Sequence, residues 1–441
     1  MSVAYAVWRN KQPPSRSART WRPDARVFIP GVNLFTGSDD VIASFGPLSS
    51  LEKDLLLISG TIFAADRGTQ RGEREDLCRT IDLHIPVYNP DRIIPLVGEL
   101  GRLLRELSQD GWRIQLRQAE GHPDGVGEEE VIGVPKDATT LLFSGGLDSL
   151  AAAVEFGRRA TPLHLVSHIT KNQVTDRAQQ ELAALLNGEG FNVEHRQFFV
   201  SSRAGGPTGF DHDVEASQRT RSLVFLTLGA ISARRTGHRE IIYMAENGQL
   251  AIHLPLTRGR IGAFSTHTAH PSVLARAEAF LSRALGVPFI IRNPYVYRTK
   301  SEVVARVVRE LPGAVPLSTS CWRNTRMGTG GATHCGACIP CYLRRIALET
   351  AGDDPTVYAR DVWSEPVRQL PVDDDGRRNL MDLVAFICRF ELMSNEELLS
   401  EFVELYSNSF DNRQVIEMYR RFAVEAKTVL TQYPQIAPLL A

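Results

Sequence analysis

The sequence predicts an α/β protein: a doubly wound, mostly parallel sheet, with an N-terminal α+β domain, a four-cysteine metal knuckle and a helical C-terminal region. Three observations predict it. From residue 140 onward, short apolar runs alternate with helix-length amphipathic stretches, the pattern of strand–helix–strand units. The first run, Leu141-Leu142-Phe143, breaks at once into Ser144-Gly145-Gly146-Leu147-Asp148-Ser149 and then into a helix-forming stretch over 150–154. Four of the six cysteines fall between residues 321 and 341. Strands joined by helical crossovers pair in parallel, and their ligands collect beyond the carboxyl ends of the strands.

Residues 1–118 are expected to form the N-terminal domain. Ile81, Leu83, Ile85 and Val87 alternate with Asp82, His84 and Pro86, a half-buried strand that Pro86 pushes toward a sheet edge. The run 55–60 reads as a helix end or a buried segment, and 96–107 as a helix started by Pro95. Residues 119–139, rich in Gly, Pro and Glu, form an exposed linker. The catalytic domain is expected over 140–350. Its strands are predicted at 140–143, 163–168, 192–199, 240–244 and 288–291, and its helices at 149–159, 174–187, 216–235, 272–285 and 299–311. Residues 351–441 read as helical, with Leu398, Phe402, Leu405 and Tyr406 on the apolar face. That face packs on the core or docks a partner. Cys388 lies in an apolar run and is expected in the core.

Strand, glycine turn and helix together make an anion cradle. Glycines let the backbone approach a phosphate, and the first free N–H groups of the helix point at it. Ser144 and Ser149 add hydroxyls. Asp148 beside a phosphate suggests a bound Mg²⁺ or a further hydrogen-bonded loop contact. A P-loop needs a lysine after its glycines, and a dinucleotide fingerprint needs Gly-x-Gly-x-x-Gly; neither is present. A tight strand–helix turn with no ligand is the plain alternative.

Composition narrows the classes. With 43% hydrophobic residues, 23% charged residues and a net charge of −1, the chain has no overall basic field to hold nucleic acid. Direct nucleic-acid binding is not expected. The pairs Arg219/Arg221 and Arg258/Arg260 suit a phosphate or a small acidic substrate, or are solvated arginines. No stretch approaches the roughly 20 apolar residues of a membrane span, and a cytoplasmic location is expected.

Cys321, Cys335, Cys338 and Cys341 are spaced C-x13-C-x2-C-x2-C. A Cys-x-x-Cys step brings two thiolates to one tetrahedral metal, and a second step with the distant cysteine completes four ligands. Gly336 supplies the sharp turn, and a helix beginning at Cys341 stabilises thiolate charge. Structural Zn²⁺ is the leading reading; all-cysteine ligation also permits an Fe–S cluster, and a redox dithiol is the third. His334 is a spare ligand beside them.

With both motifs in hand, the chain resembles the 7-cyano-7-deazaguanine synthases of the PP-loop ATP pyrophosphatase superfamily, with its adenine nucleotide alpha hydrolase-like fold. The resemblance covers about residues 138–350. It rests on the 144–149 loop, on Thr299-Lys300-Ser301-Glu302, and on Cys321 with Cys335-Gly336-Ala337-Cys338-Ile339-Pro340-Cys341-Tyr342-Leu343-Arg344. It implies ATP-dependent activation of a 7-deazaguanine carboxylate, with release of AMP and pyrophosphate, followed by amide or nitrile formation. ATP and Mg²⁺ would join Zn²⁺ as cofactors. Ser144, Gly145, Gly146, Leu147, Asp148 and Ser149 would hold the phosphates, with Asp148, Lys300 and Arg221 in catalytic roles. Ser167 and His168, ending the second strand, would lie where the superfamily places adenine or ribose contacts; His168 as an ordinary core or surface histidine is the alternative. Glu246-Asn247-Gly248 and Thr266-His267-Thr268-Ala269-His270-Pro271 offer polar groups to a deazapurine edge, or simply form turns.

Housekeeping members of that family are about half this length. The enlarged form resembles synthase-like proteins of bacterial antiphage defence systems, which implies protein partners through the N-terminal or C-terminal regions and an acceptor that is ammonia or a protein amine. A scaffold that binds nucleotide or deazapurine without turnover is the alternative function. Thiolation or adenylation of tRNA is disfavoured by the neutral charge and by the lack of a spare cysteine near the cleft.

Overall fold

β-branched and leucine-rich runs pair into two sheets, and helices with well-marked caps cover them. The computed structural model describes residues 2–9, 24–71, 78–121, 125–134, 136–158, 162–169, 172–204, 215, 217–242, 245–257, 268–323 and 331–440. The strands are β1 (Ser2–Val7), β2 (Arg26–Phe28), β3 (Leu34–Thr36), β4 (Thr80–Val87), β5 (Gly111–Gln118), β6 (Lys136–Leu142), β7 (Leu163–Ile169), β8 (Val193–Ser202), β9 (His238–Ile242) and β10 (Ile290–Arg292). The helices that matter below are α1 (Ser50–Gly68), α2 (Val97–Ser108), α3 (Leu147–Phe156), α4 (Gln173–Gly188), α5 (Arg221–Thr236), α6 (Gly248–Ile252), α7 (Pro271–Leu285), α8 (Lys300–Glu310), α9 (Ile339–Ala351), α10 (Asp375–Leu392), α11 (Asn395–Glu401) and α12 (Asn412–Leu430).

The larger sheet runs β10-β9-β6-β7-β8-β3. Its first five strands are parallel and β3 is antiparallel on β8. Alternate residues of one strand enter separate cores, as the pleat requires. Leu142 and Val166 join the core shared with α1, α5 and α7, whereas Leu141, Phe143, Leu163 and Leu165 join that of α3, α4 and α8. All five strands and five helices expected over 140–311 are present, with ends shifted by a few residues. Tyr243 and Met244, expected to finish the fourth strand, lie outside the described residues, as do Arg258, Arg260, Thr266 and His267.

The N-terminal sheet, order β2-β1-β4-β5, is parallel throughout, so the expected α+β arrangement is replaced by a second α/β layer. Its packing continues into the larger sheet: β3 supplies an edge strand, and α1 lies against α5 within one shared core. Two local expectations also change. The 55–60 run is the buried middle of α1, which a Ser49–Glu52 capping box starts. The strand carrying Pro86 is central and almost wholly buried, with Asp82 and His84 inside as well. Registered pairing with β1 ends at Ala6 and His84, before Pro86 is reached, and beyond it β4 is paired on the β5 side alone.

The tail is helical, as expected. α10, α11 and α12 bury one face against α9 and α6, with Leu398, Phe402 and Leu405 inside. Tyr406 is exposed instead, because α11 ends at Glu401 and the helical spacing is broken before it. Cys388 is half-buried at the margin of this core. Among the described residues no helix is long and apolar enough to cross a membrane.

Candidate active site and metal centre

The glycine loop follows β6 and opens α3. Gly145 sits at φ +80, and a Cβ there would lie 3.1 Å from the Gln179 side chain. Gly146 is the N-cap and offers no side chain to the first turn, so those backbone N–H groups remain available to an anion. The loop is tied internally. Ser149 donates to the Gly146 carbonyl (3.0 Å), the Gly146 N–H donates to Ser144 Oγ (3.3 Å), and the two serine hydroxyls lie 3.2 Å apart. Leu147 is core, and only its backbone faces the loop.

Two braces hold this cradle from outside. Gln179 of α4 donates to the Ser144 carbonyl (3.3 Å). A strap over 315–320 crosses the loop, and the Thr319 N–H donates to the Gly145 carbonyl (2.9 Å). Fully buried Arg344 holds the strap, donating to Val315 O (2.7 Å) and Ser318 Oγ (2.9 Å). A cavity of about 660 Å³ opens between α4 and the strap, lined by Gln173, Asp176, Arg177, Gln180 and Thr319.

Asp148 is the loop's charged group. Lys300, buried in the first turn of α8, forms an ion pair with it, and Asn247 Nδ2 donates to it at 3.0 Å. Asp148 thus makes a further hydrogen-bonded loop contact. The same elements interlock: Asn247 caps α6, Gln249 accepts the Lys300 N–H (3.0 Å), and a Thr299–Glu302 capping box starts α8.

Glu246 stands beside this group. Ala245, a buried non-glycine residue at φ +47, turns the chain there. The Glu246 Oε2 is shut off from solvent and has no hydrogen-bond partner among the described residues. Burial, and then the Asp148 charge, push its carboxyl up to about 7, while Lys300 pulls the other way.

Arg221 begins α5 at the carboxyl edge of the sheet. Its Nε donates to His168 Nδ1 (3.2 Å) and its Nη2 to the His168 carbonyl (3.3 Å). His168 is fully buried between Phe63 and Phe225, and its Nε2 donates to the Val200 carbonyl (2.9 Å). Burial, then the Arg221 charge, lower its pKa to about 3, so the ring is neutral. Ser167 is buried too, donating to Phe143 O (2.6 Å) with His195 Nε2 2.9 Å away. Both side chains support the site from behind rather than opening into it. Arg219 diverges from Arg221: it is buried and donates to the Ser108 carbonyl (3.2 Å). His270 accepts from the Ser272 N–H and caps α7.

The four cysteines converge as their spacing implied. Their sulfurs all lie within 4.8 Å of one another. The Cys335–Cys341 and Cys338–Cys341 separations are 3.8 and 3.3 Å. A tetrahedron with Zn–S bonds of about 2.3 Å sets sulfurs about 3.8 Å apart, so the group fits Zn²⁺. Backbone N–H groups of Arg323 and Cys335 donate to Cys321 Sγ (3.2 and 3.4 Å), an arrangement that favours thiolate. Gly336, at φ +72, is obligatory, since a Cβ there would lie 1.9 Å from the Arg360 carbonyl. Cys338 caps α9, three residues ahead of the helix start expected at Cys341. His334 is outside the ligand group: its Nε2 accepts the Ser320 N–H (3.1 Å) and braces the strap.

Comparison with known proteins decides the family. Over 234 residues the chain is 30% identical to 7-cyano-7-deazaguanine synthase 1 of Sphingopyxis alaskensis, a match covering 50% of this chain and 97% of that one. The chain belongs to the 7-cyano-7-deazaguanine synthase family. Two other synthases match in part. The Paracoccus denitrificans synthase is 38% identical over 80 residues, 18% of this chain and 31% of its own. The Sulfolobus acidocaldarius synthase is 24% identical over 251 residues, 51% and 48% of the two chains. No protein-family model matches the chain. Within this synthase framework, spacing alone revealed the loop and the cysteines. Arg344 falls inside the cysteine motif, where spacing assigns it no role, and Gln179 is a lone glutamine on an amphipathic helix, which carries no signal of its own.

Proposed function

We propose that the protein activates the carboxylate of a 7-deazaguanine with ATP, forming an acyl adenylate and pyrophosphate, and passes the acyl group to a nitrogen nucleophile with release of AMP. The single observation that carries this is the braced glycine cradle, facing the Asp148–Lys300–Asn247 cluster, in a chain that spans nearly the whole of a named synthase. On this reading the six-stranded sheet is the doubly wound PP-loop form. ATP arrives as its magnesium complex and its phosphates lie on the N–H groups of residues 145–149. Attack of the carboxylate on the α-phosphorus spreads charge over the phosphate oxygens, which the loop N–H groups, Lys300 and Arg221 stabilise. Ser167 and His168 hold the second strand's end, and His168 aims Arg221. The knuckle is structural: with Zn²⁺ on Cys321, Cys335, Cys338 and Cys341, it anchors the strap that lies on Gly145.

Incubation with ATP, Mg²⁺, 7-carboxy-7-deazaguanine and an amine is expected to yield AMP and pyrophosphate in equal amounts. Binding of nucleotide without AMP formation on this carboxylate would transfer support to the scaffold reading. By the resemblance to enlarged defence-associated proteins, ammonia and a protein amine are both acceptors to compare, and a defence setting predicts that the protein amine wins.

A further inference from the structure

Among the described residues around the loop, one acid has a buried oxygen without a hydrogen-bond partner, and it is Glu246. Asp148 is taken by Lys300 and Asn247, and Lys300 by Asp148. Glu246 lies just past the end of β9, beside the strand that carries the glycine loop. Its backbone carbonyl is fixed by Asn293 Nδ2 (2.6 Å), while the carboxyl Oε2 has no donor at all. A non-glycine residue at positive φ is strained and persists where the fold over-determines it, commonly at functional sites. Ala245 is in that state, and it directs the chain into Glu246.

We propose that Glu246 is the catalytic base of the acyl-transfer half-reaction, accepting the proton that the attacking amine sheds. The inference rests on the adenylation reading above. The nitrogen lone pair attacks the acyl carbon, the carbon–oxygen bond to AMP breaks, AMP leaves with that electron pair, and the proton on nitrogen passes to the Glu246 carboxylate. The charged groups acting on Glu246 are Asp148, which opposes its ionisation, and Lys300, which favours it. A carboxyl poised near neutrality suits this duty, because a base is most effective when its pKa lies near the working pH.

The test separates the two half-reactions in the full-length protein. ATP–pyrophosphate exchange with 7-carboxy-7-deazaguanine and no amine reports adenylation, and amide formation with ammonia reports transfer. Glu246→Gln keeps the shape of the side chain. It is expected to leave exchange within about threefold of wild type while lowering amide formation by about 10²–10⁴-fold, the range typical of a lost general base. Hydroxylamine, uncharged at neutral pH and strongly nucleophilic, is expected to recover most of the lost rate. With free ammonia held constant, amide formation in wild type should rise with pH through about 7, and the variant should lose that limb. Parallel loss of exchange and amide formation, an increased Mg²⁺ requirement for exchange, or failure of hydroxylamine to rescue would each overturn the assignment. A wild type with no exchange on this carboxylate overturns the substrate reading itself, and this proposal with it.

Discussion

At residue scale, Gly145 carries the cradle. An alanine there must hold φ +80 and push its Cβ against Gln179. Left-handed backbone costs an L residue roughly 1–2 kcal/mol, and displacing Gln179 also releases the Ser144 carbonyl. Gly145→Ala is expected to weaken ATP binding at least about tenfold, since 1.4 kcal/mol is one decade; titration calorimetry checks it, and unchanged affinity would remove the loop from the nucleotide site. One buried and one half-buried histidine, His168 and His195, set a pH dependence. Burial lowers His168 to about 3 and His195 to about 4, whereas an unfolded histidine titrates near 6.5. Below about 6.5 the unfolded chain takes up protons that the folded chain refuses. The stability these rings contribute is therefore complete above that pH and declines toward about pH 4, by up to ~1.4 kcal/mol per pH unit for each ring. Melting temperatures at pH 7, 6 and 5 should fall in that order. Composition cannot show this effect, because the sequence does not say which of the 11 histidines lose their water.

At the scale of elements, the metal knuckle, the 315–320 strap and the glycine loop form one mechanical unit. The strap touches the loop through Thr319 and the knuckle through His334 and Arg344. Cys338→Ser is expected to lose bound zinc, measured by plasma mass spectrometry, and to weaken ATP binding although no cysteine touches the loop. A variant that loses zinc and binds ATP normally would show that the strap stands unaided. The knuckle was legible because ligand spacing is a local property of the chain. The strap was not: its value lies in one backbone hydrogen bond between positions more than 170 residues apart, which leaves no mark in composition or period. The edge position expected for β4 failed for a similar reason. Pro86 carries information about its own N–H only, and the pairing of the rest of β4 with β1 and β5 sets the strand's place in the sheet.

On the scale of the whole molecule, both flanking regions reach the site. From the N-terminal side, Asp66 of α1 accepts the Thr220 N–H and hydroxyl (3.0 and 2.9 Å) just before Arg221, and Phe63 packs on His168. From the tail, the Tyr419 hydroxyl donates to Gln249 O (3.1 Å) and accepts the Leu254 N–H (3.3 Å), and Glu425 accepts from Thr299 (2.8 Å) at the cap of the lysine-bearing helix. Tyr419→Phe strands the buried Leu254 N–H, while the Gln249 carbonyl keeps the His253 N–H (3.1 Å), and leaving one such group unsatisfied costs about 1–3 kcal/mol. The expected result is a lower midpoint of chemical denaturation together with weaker retention of Lys300 beside Asp148, read as a raised KM for ATP. A variant with wild-type midpoint and KM would show that the tail packs without supporting the site.

Local chemistry in the chain encoded a parallel α/β core, a glycine cradle that is neither a P-loop nor a dinucleotide turn, and four metal ligands. Each of these depends on residues a few positions apart, where spacing and geometry are nearly the same thing. Only the tertiary structure decided what faces what. It buried Ser167 and His168 behind the site, drew Arg219 away from Arg221, joined Lys300 to Asp148 across 152 positions, and left Glu246 beside them with an oxygen unclaimed. Burial and partnership are properties of the packed chain, and a carboxylate's chemistry follows from them rather than from its place in the sequence.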